Sequence, residues 1–241
     1  MIDLHCHILP GVDDGSPDAE ISLSMARHAA ESGVTAIAVT PHCNLPGFRR
    51  NYRGPDYRRQ LNDLRELLTQ ENIPLRLYSG AEVFADPSNI RTLIEQHELI
   101  TLGGSRYLLA EFDFGLPGSV LLRTLEAIAQ RGLVPVVAHP ERYDAAWCFS
   151  RGMLLQLNKG SLLGLLGSRA EDTALHLLSH GLAHLIASDA HDDRFRTTGF
   201  RSLLPVLEPI CHPDYIALLL HGNPRRILRD EPIPIPPLQS D

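Results

Sequence analysis

Residues 1–16 read MIDLHCHILPGVDDGS, and residues 183–191 read AHLIASDAH. Each is a short apolar, strand-like run that ends in polar residues two apart: His5 and His7 in the first, Asp189 and His191 in the second. Side chains two apart on a strand share a face, so Cys6 and Ala190 point the other way. Histidine and aspartate are poor material for a buried strand. Either these ends form a polar surface edge, or the strands deliver ligands to a metal.

The same pattern recurs along the chain. Strands are expected at 2–7, 35–42, 75–84, 107–114, 134–140, 154–161 and 183–191, most of them continuous apolar runs, as parallel strands covered on both faces require. Helical patterns fill the gaps. In SPDAEISLSMARHAAESG (16–33), Ser16 is the expected N-cap, Pro17 the first helical residue, Asp18 and Glu20 lie in the first turn, and Gly33 ends the helix. Segments 57–73, 119–133 and 169–182 read similarly. This βαβα order implies an α/β fold with a parallel sheet. Seven repeats without a composition break predict a closed or nearly closed (β/α) barrel, with a doubly wound open sheet as the alternative. Residues 1–230 are expected to form a single domain, followed by the proline-rich tail EPIPIPPLQSD at 231–241.

Bulk properties narrow the function classes. The 241 residues carry a net charge of -7, which argues against a nucleic-acid partner, since that needs a cationic surface. No apolar run approaches the roughly 18 residues of a membrane span, and no signal-peptide pattern opens the chain, so a cytoplasmic location without membrane insertion is expected. Cys6, Cys43, Cys148 and Cys211 show no C-x-x-C spacing and read as small core residues. Lys159 is the only lysine, so any phosphate-binding cation should be an arginine.

Every expected strand except the sixth carries histidine or carboxylate at its C-terminal end. His42 ends the second, Glu82 the third, Glu111 the fourth and His139 the fifth, beside His5 and His7 in the first and Asp189 and His191 in the seventh. In barrels and open α/β sheets the active site is built at that end. With Asp14 the set holds five histidines and four carboxylates, a mixed N/O ligand set too large for one ion. Three ions, with a carboxylate bridging two, would use it. Burying so many such groups without metal would cost several kcal/mol for each isolated charge.

These motifs resemble those of the PHP (polymerase and histidinol phosphatase) superfamily, and within it the bacterial tyrosine phosphatases of capsular and exopolysaccharide biosynthesis. The resemblance lies in IDLHCHILPGVDDGS, VTPH, the AE of GAEVF, AEFDF, AHPER, NKGSLLG and ASDAH, between residues 2 and 191, and in NPRRIL at 223–228. It implies a distorted seven-stranded (β/α) barrel of PHP type and a centre of three divalent ions, usually manganese, with iron or zinc as alternatives. Carried over by motif, His5, His7, Glu82 and Asp189 hold one ion. Glu82 bridges to a second, held also by Glu111 and His139. Asp14, His42 and His191 hold the third, and Asp13 is the less favoured aspartate of its pair. Where relatives often read TPHH this chain reads TPHC, which leaves His42 in place. The resemblance also implies two arginines beside the metals: Arg142 in HPER and Arg196 after SDAH, with Arg194 as the alternative to Arg196. The implied partner is an autophosphorylating tyrosine kinase of polysaccharide export, met through a phosphotyrosine-containing tail or peptide.

Such a cluster suits phosphoester hydrolysis. A metal-bridging water loses its proton near neutral pH and becomes the nucleophile, while arginines grip phosphoryl oxygens through two-pronged hydrogen bonds. The segment CNLPGFRRNYRGPDYRR (43–59), with Phe48, Tyr52 and Tyr57, is expected to face an acidic, aromatic phosphopeptide. Within it Cys43 and Arg49 have the C-x-x-x-x-x-R spacing of cysteine-dependent phosphatases, a rival that needs a low-pKa thiolate. Histidinol-phosphate phosphatase, another PHP phosphoesterase, and a metal-binding regulatory module without turnover are the remaining alternatives.

Overall fold

The structure is a computed structural model that describes residues 1–45, 52–146, 149 and 153–234. Among these residues nine strands run in chain order: β1 (Ile2–Cys6), β2 (Ala36–Val39), β3 (His42–Cys43), β4 (Arg76–Ser79), β5 (Glu82–Phe84), β6 (Tyr107–Glu111), β7 (Val134–Ala138), β8 (Leu154–Asn158) and β9 (Leu185–Ala187). Between and after them lie α1 (Ala19–Glu31), α2 (Pro55–Gln70), α3 (Ile90–Glu95), α4 (Gly118–Ala129), α5 (Lys159–Leu162), α6 (Ser168–Ser179), α7 (Leu204–Leu207), α8 (Pro213–Ala217) and α9 (Asn223–Leu228).

All strand pairs are parallel, as the βαβα order requires, but they form two sheets: β1-β2-β4 and β3-β5-β6-β7-β8-β9. The sheets meet where β1 reaches the end of β9. There Cys6 bridges Ala190, Asp189 N–H donates to His5 O at 2.8 Å and His7 N–H to Ala190 O at 2.9 Å.

Seven expected strands become nine because the second and third each break once. The second breaks at Thr40–Pro41, where proline has no N–H for the ladder. The third breaks at Gly80–Ala81, where a Cβ on Gly80 would lie 3.0 Å from Thr40 Cγ2. The Tyr57 hydroxyl fills the break: it lies 2.9 Å from Gly80 O and 3.2 Å from Val39 O, and accepts Gly80 N–H at 2.9 Å. Tyr57 is therefore a buried residue of α2, not part of a peptide-facing loop. Tyr52 is half-buried and donates to Asn44 Oδ1 at 3.0 Å. Phe48 and Arg49 lie outside the described residues, as do Cys148 and the tail from 235.

The start of α1 also differs from expectation. Asp18, not Ser16, is the N-cap: its carboxylate accepts Ile21 N–H at 2.9 Å. The Ser16 hydroxyl turns inward to Ser22 Oγ at 2.8 Å, which ties the loop carrying Asp13 and Asp14 to the first turn of the helix.

Neighbouring strand residues belong to two different apolar clusters. Leu108, Val137, Leu155 and Ile186 pack with helix residues such as Met25, Leu61, Leu121 and Leu177. Leu109, Val136, Leu154 and Leu185 pack with Ile2, Leu4 and Ile227 in a second cluster made almost entirely of strand side chains. Burial on both faces explains why these strands read as continuous apolar runs. Ile233 joins the second cluster and Tyr107 donates to Glu231 O at 2.7 Å, so the first residues of the tail are packed.

Candidate functional site

The nine residues singled out in the sequence stand together at the C-terminal edge of the strands. His5 is in β1 and His7 just after it; His42 is in β3, Glu82 opens β5 and Glu111 closes β6. His139 follows β7, and Asp189 and His191 follow β9. Eight of them are buried, while the Asp14 side chain is 47% exposed at the mouth. His139 (φ 32°) and Asp189 (φ 49°) adopt the left-handed region, which few side chains tolerate and which persists only where surrounding structure enforces it. Both turns redirect the chain where the strand delivers its polar side chain.

Glu82 is the hub. Its Oε2 lies 3.2 Å from His5 Nε2, 3.2 Å from His7 Nε2 and 3.0 Å from His42 Nδ1, and its Oε1 lies 2.9 Å from His139 Nε2. Three groups have ligand atoms close enough to converge on an ion: His5, His7, Glu82 and Asp189; His7, Asp14, His42 and His191; and His42, Glu82 and Glu111. His139 stands beside the last of these, with Nε2 3.6 Å from Glu111 Oε1. His7 and His42 each belong to two groups, an overlap that spacing alone does not reveal.

A second layer of polar residues orients the imidazoles. His7 Nδ1 lies 2.8 Å from Asp13 Oδ2, which also accepts His42 N–H at 2.9 Å. His5 Nδ1 lies 2.8 Å from Gln156 Oε1, and Asn158 Nδ2 donates to Asp189 Oδ2 at 2.5 Å. With Nδ1 so engaged, Nε2 of His5 and of His7 is left aimed at the cluster. The sixth expected strand, alone in carrying no histidine or carboxylate, thus supplies its amides. Sequence reading missed Gln156 and Asn158 because an amide in an apolar strand carries no charge signal; the alternation LLQLN at 154–158 was the trace they left. Asp13→Asn and Gln156→Leu are each expected to weaken metal affinity about 10–100-fold. Titration of the metal-free protein with Mn2+ checks this, and unchanged affinity in both variants would refute the orienting role.

The electrostatics fit a cation. Burial pushes the Glu82 carboxyl up, but the His5 charge and hydrogen bonds from His139, His42 and His5 outweigh it and hold Glu82 well below its ordinary value. Burial and the neighbouring Glu82 charge push Glu111 up to about 8. Burial opposes protonation of His5, yet Glu82 and Asp189 raise it to about 9; His42 likewise reaches about 11 beside Asp14 and Glu82. The protein alone therefore balances its buried carboxylates with protons on His5, His42 and Glu111, while burial pushes His139 and His191 toward the neutral form. Divalent ions bound there would do the same while releasing those protons. Among the described residues, buried Glu111 Oε2 accepts no hydrogen bond, an acceptor of the sort a hard cation takes. Neutral imidazole and carboxylate are the donor types that suit manganese, iron or zinc.

The two predicted arginines stand differently. Arg196 reaches the cluster, with Nη2 2.5 Å from Asp189 Oδ2. The Arg142 guanidinium lies over the Phe114 ring at 4.5 Å, and that ring is 6.0 Å from the His139 imidazole. The alternative, Arg194, has an 80% exposed side chain 3.8 Å from Asp193. Cys43 is buried in β3, and burial pushes its thiol up to about 12, the opposite of what a nucleophilic thiolate needs.

The family model described as "Capsular polysaccharide synthesis, CpsB/CapC" matches residues 1–229. The chain is 32% identical to the tyrosine-protein phosphatase YwqE of Bacillus subtilis, covering 97% of this chain and 93% of that one. It is 28% identical to the tyrosine-protein phosphatase CpsB of Streptococcus pneumoniae, covering 96% and 99%. A chain from the crystal structures of YwqE from Bacillus subtilis and CpsB from Streptococcus pneumoniae, described as metal-dependent tyrosine phosphatases, superposes with a TM-score of 0.89 at 31% identity, covering 100% and 99%. The chain belongs to the CpsB/CapC family of capsular polysaccharide synthesis.

Proposed function

We propose that this CpsB/CapC family member is a metal-dependent phosphatase that hydrolyses phosphotyrosine on a tyrosine autokinase of capsule or exopolysaccharide synthesis. The observation that carries the reading is the convergence of four imidazoles within 3.2 Å of the Glu82 carboxylate, with Arg196 on the neighbouring Asp189. In this reading the two sheets act as one distorted seven-stranded barrel and residues 1–230 as one domain, in a protein of the cytoplasm. Among the described residues, no helix is long and apolar enough to cross a membrane.

Three ions, manganese first among the candidates, would be held by His5, His7, Glu82 and Asp189; by Glu82, Glu111 and His139; and by Asp14, His42 and His191. When bound, such ions acidify a water and neutralise phosphoryl oxygens. The chain's own residues do the rest. Asp13 and Gln156 keep the His7 and His5 rings aimed inward. Arg196 and Arg142 take the non-bridging phosphoryl oxygens through their planar donor pairs. The tyrosyl oxygen leaves with a pKa near about 10, so little proton donation is needed.

The test is to assay a phosphotyrosine peptide, histidinol phosphate and a short oligonucleotide before and after chelation, with bound metal measured alongside. Chelator-sensitive hydrolysis of the peptide, retained in Cys43→Ser, is expected. Preference for histidinol phosphate would overturn the substrate assignment, and chelator-resistant activity lost in Cys43→Ser would overturn the metal mechanism.

A further inference from the structure

A cavity of about 420 Å3 adjoins the strand-end cluster. Asn158 and Arg196, which both contact Asp189 Oδ2 at 2.5 Å, also line it, so its inner end borders the site. Leu165, Leu166 and Phe195 form its apolar wall, and Lys159, Ser188 and Arg194 also line it. Phe195 is 82% exposed and Leu165 61% exposed, the two highest values for large apolar residues among the described residues. Both line this one cavity.

Phe195 is not exposed through slackness of its loop. The Asp192 carboxylate accepts the N–H groups of Arg194 at 2.6 Å, Phe195 at 2.5 Å and Arg196 at 3.2 Å. His191 N–H donates to Arg196 O at 2.9 Å. Just beyond, the buried Lys159 ammonium donates to Thr197 O and to Gly199 O, the latter at 2.9 Å. The loop is pinned on both sides, and Phe195 is held out in water, where an ordered aromatic ring loses hydrophobic stabilisation that a ligand would restore.

We infer that this cavity seats the aromatic ring of the phosphotyrosyl substrate. Phe195, Leu165 and Leu166 pack against the ring while Arg196, at the inner end, takes the phosphoryl group. The inference rests on the phosphatase reading above and deepens it. It makes Phe195 and Leu165 specificity determinants that favour aryl over alkyl phosphate esters, since an alkyl ester has no ring to place between them. Aromatic pairs in offset or edge-to-face contact add to the effect of area burial, and the neighbouring Arg194 offers a cation for the ring face.

The test compares two ligands on the metal-loaded full chain: KM for a phosphotyrosine peptide and the competitive inhibition constant of inorganic phosphate, which carries no ring. In Phe195→Ala, KM is expected to rise about ten-fold, the equivalent of losing one well-packed aromatic contact. The phosphate constant is expected to stay within about two-fold, because Arg196 and the metal ligands are untouched. Phe195→Trp should restore most of the lost affinity, which a merely structural role for the loop would not predict. Equal KM in the wild type and Phe195→Ala would overturn the ring seat and leave the phosphatase reading standing. A parallel rise in the phosphate constant would also overturn it, by showing a disturbed phosphate site. A wild-type protein inactive on the peptide would overturn the phosphatase reading and this inference with it.

Discussion

Glu82→Gln is expected to reduce phosphotyrosine hydrolysis by more than about 100-fold, beyond the 10–100-fold typical of an outer-shell partner, and to lower the bound metal content. Among the described residues, Glu82 is the one carboxylate in contact with four imidazoles, at 2.9 to 3.2 Å. The amide keeps the volume, removes the charge, and puts an NH2 donor in place of one carboxylate oxygen, either the one that faces His5, His7 and His42 or the one that faces His139. Burial works against the ionised form of Glu82, yet the surrounding histidines hold it ionised; the site is built around that charge. Burial and the Glu82 charge together push Glu111 up to about 8; removing the charge leaves burial alone, so Glu111 should become more acidic in the metal-free variant. Elemental analysis after dialysis, together with kcat on a phosphotyrosine peptide, measures the effect. Full metal content with activity within about ten-fold of wild type would refute the bridging role of Glu82.

Gly15→Ala carries the second large effect. A Cβ at this position would lie 2.3 Å from His7 O and 2.4 Å from His7 Cβ, so the DDGS loop or the end of the first strand has to move. Neither atom belongs to the far end of a flexible side chain, and Ser16 N–H holds the same His7 carbonyl at 2.9 Å. Overpacking of this kind costs about 1–3 kcal/mol of stability. The functional loss should be larger than the stability loss implies. Asp13 Oδ1 accepts Gly15 N–H at 3.0 Å while Asp13 Oδ2 lies on His7 Nδ1, so one added methyl disturbs both His7 and its partner. Denaturant unfolding and Mn2+ affinity, measured on the same preparations, separate the two effects. A variant with wild-type metal affinity would show that the loop relaxes without moving His7. The requirement for glycine here is close approach of backbone to backbone, which explains why the short motif after the two aspartates ends as it does.

Much of the candidate site could be read before any coordinates. His5 and His7, and Asp189 and His191, are each two apart at the end of an apolar run, and strand periodicity is a local property that survives in the sequence. Placing His42, Glu82, Glu111 and His139 beside them needed only the rule that parallel strands in an α/β fold present one end to the active site. The helix start at Asp18 was misplaced by two residues, because Ser16, Pro17 and Asp18 are all good residues for a helix N-terminus and only packing against Ser22 chooses among them.

The sequence by itself therefore determined the parallel α/β class and the set of imidazoles and carboxylates, since both follow from periodicity and residue chemistry along one strand at a time. Tertiary structure decided what depends on neighbours far apart in the chain. It set Gln156 on His5 across 151 residues and Asn158 on Asp189 across 31. It turned Asp13 from the less favoured ligand into the partner of His7. It also buried Cys43, which removed the rival nucleophile, and broke two strands to let the Tyr57 hydroxyl between them. The physical reason is the same in each case: a hydrogen bond or a burial cost is set by which surfaces meet, and only the closed packing of the chain brings those surfaces together.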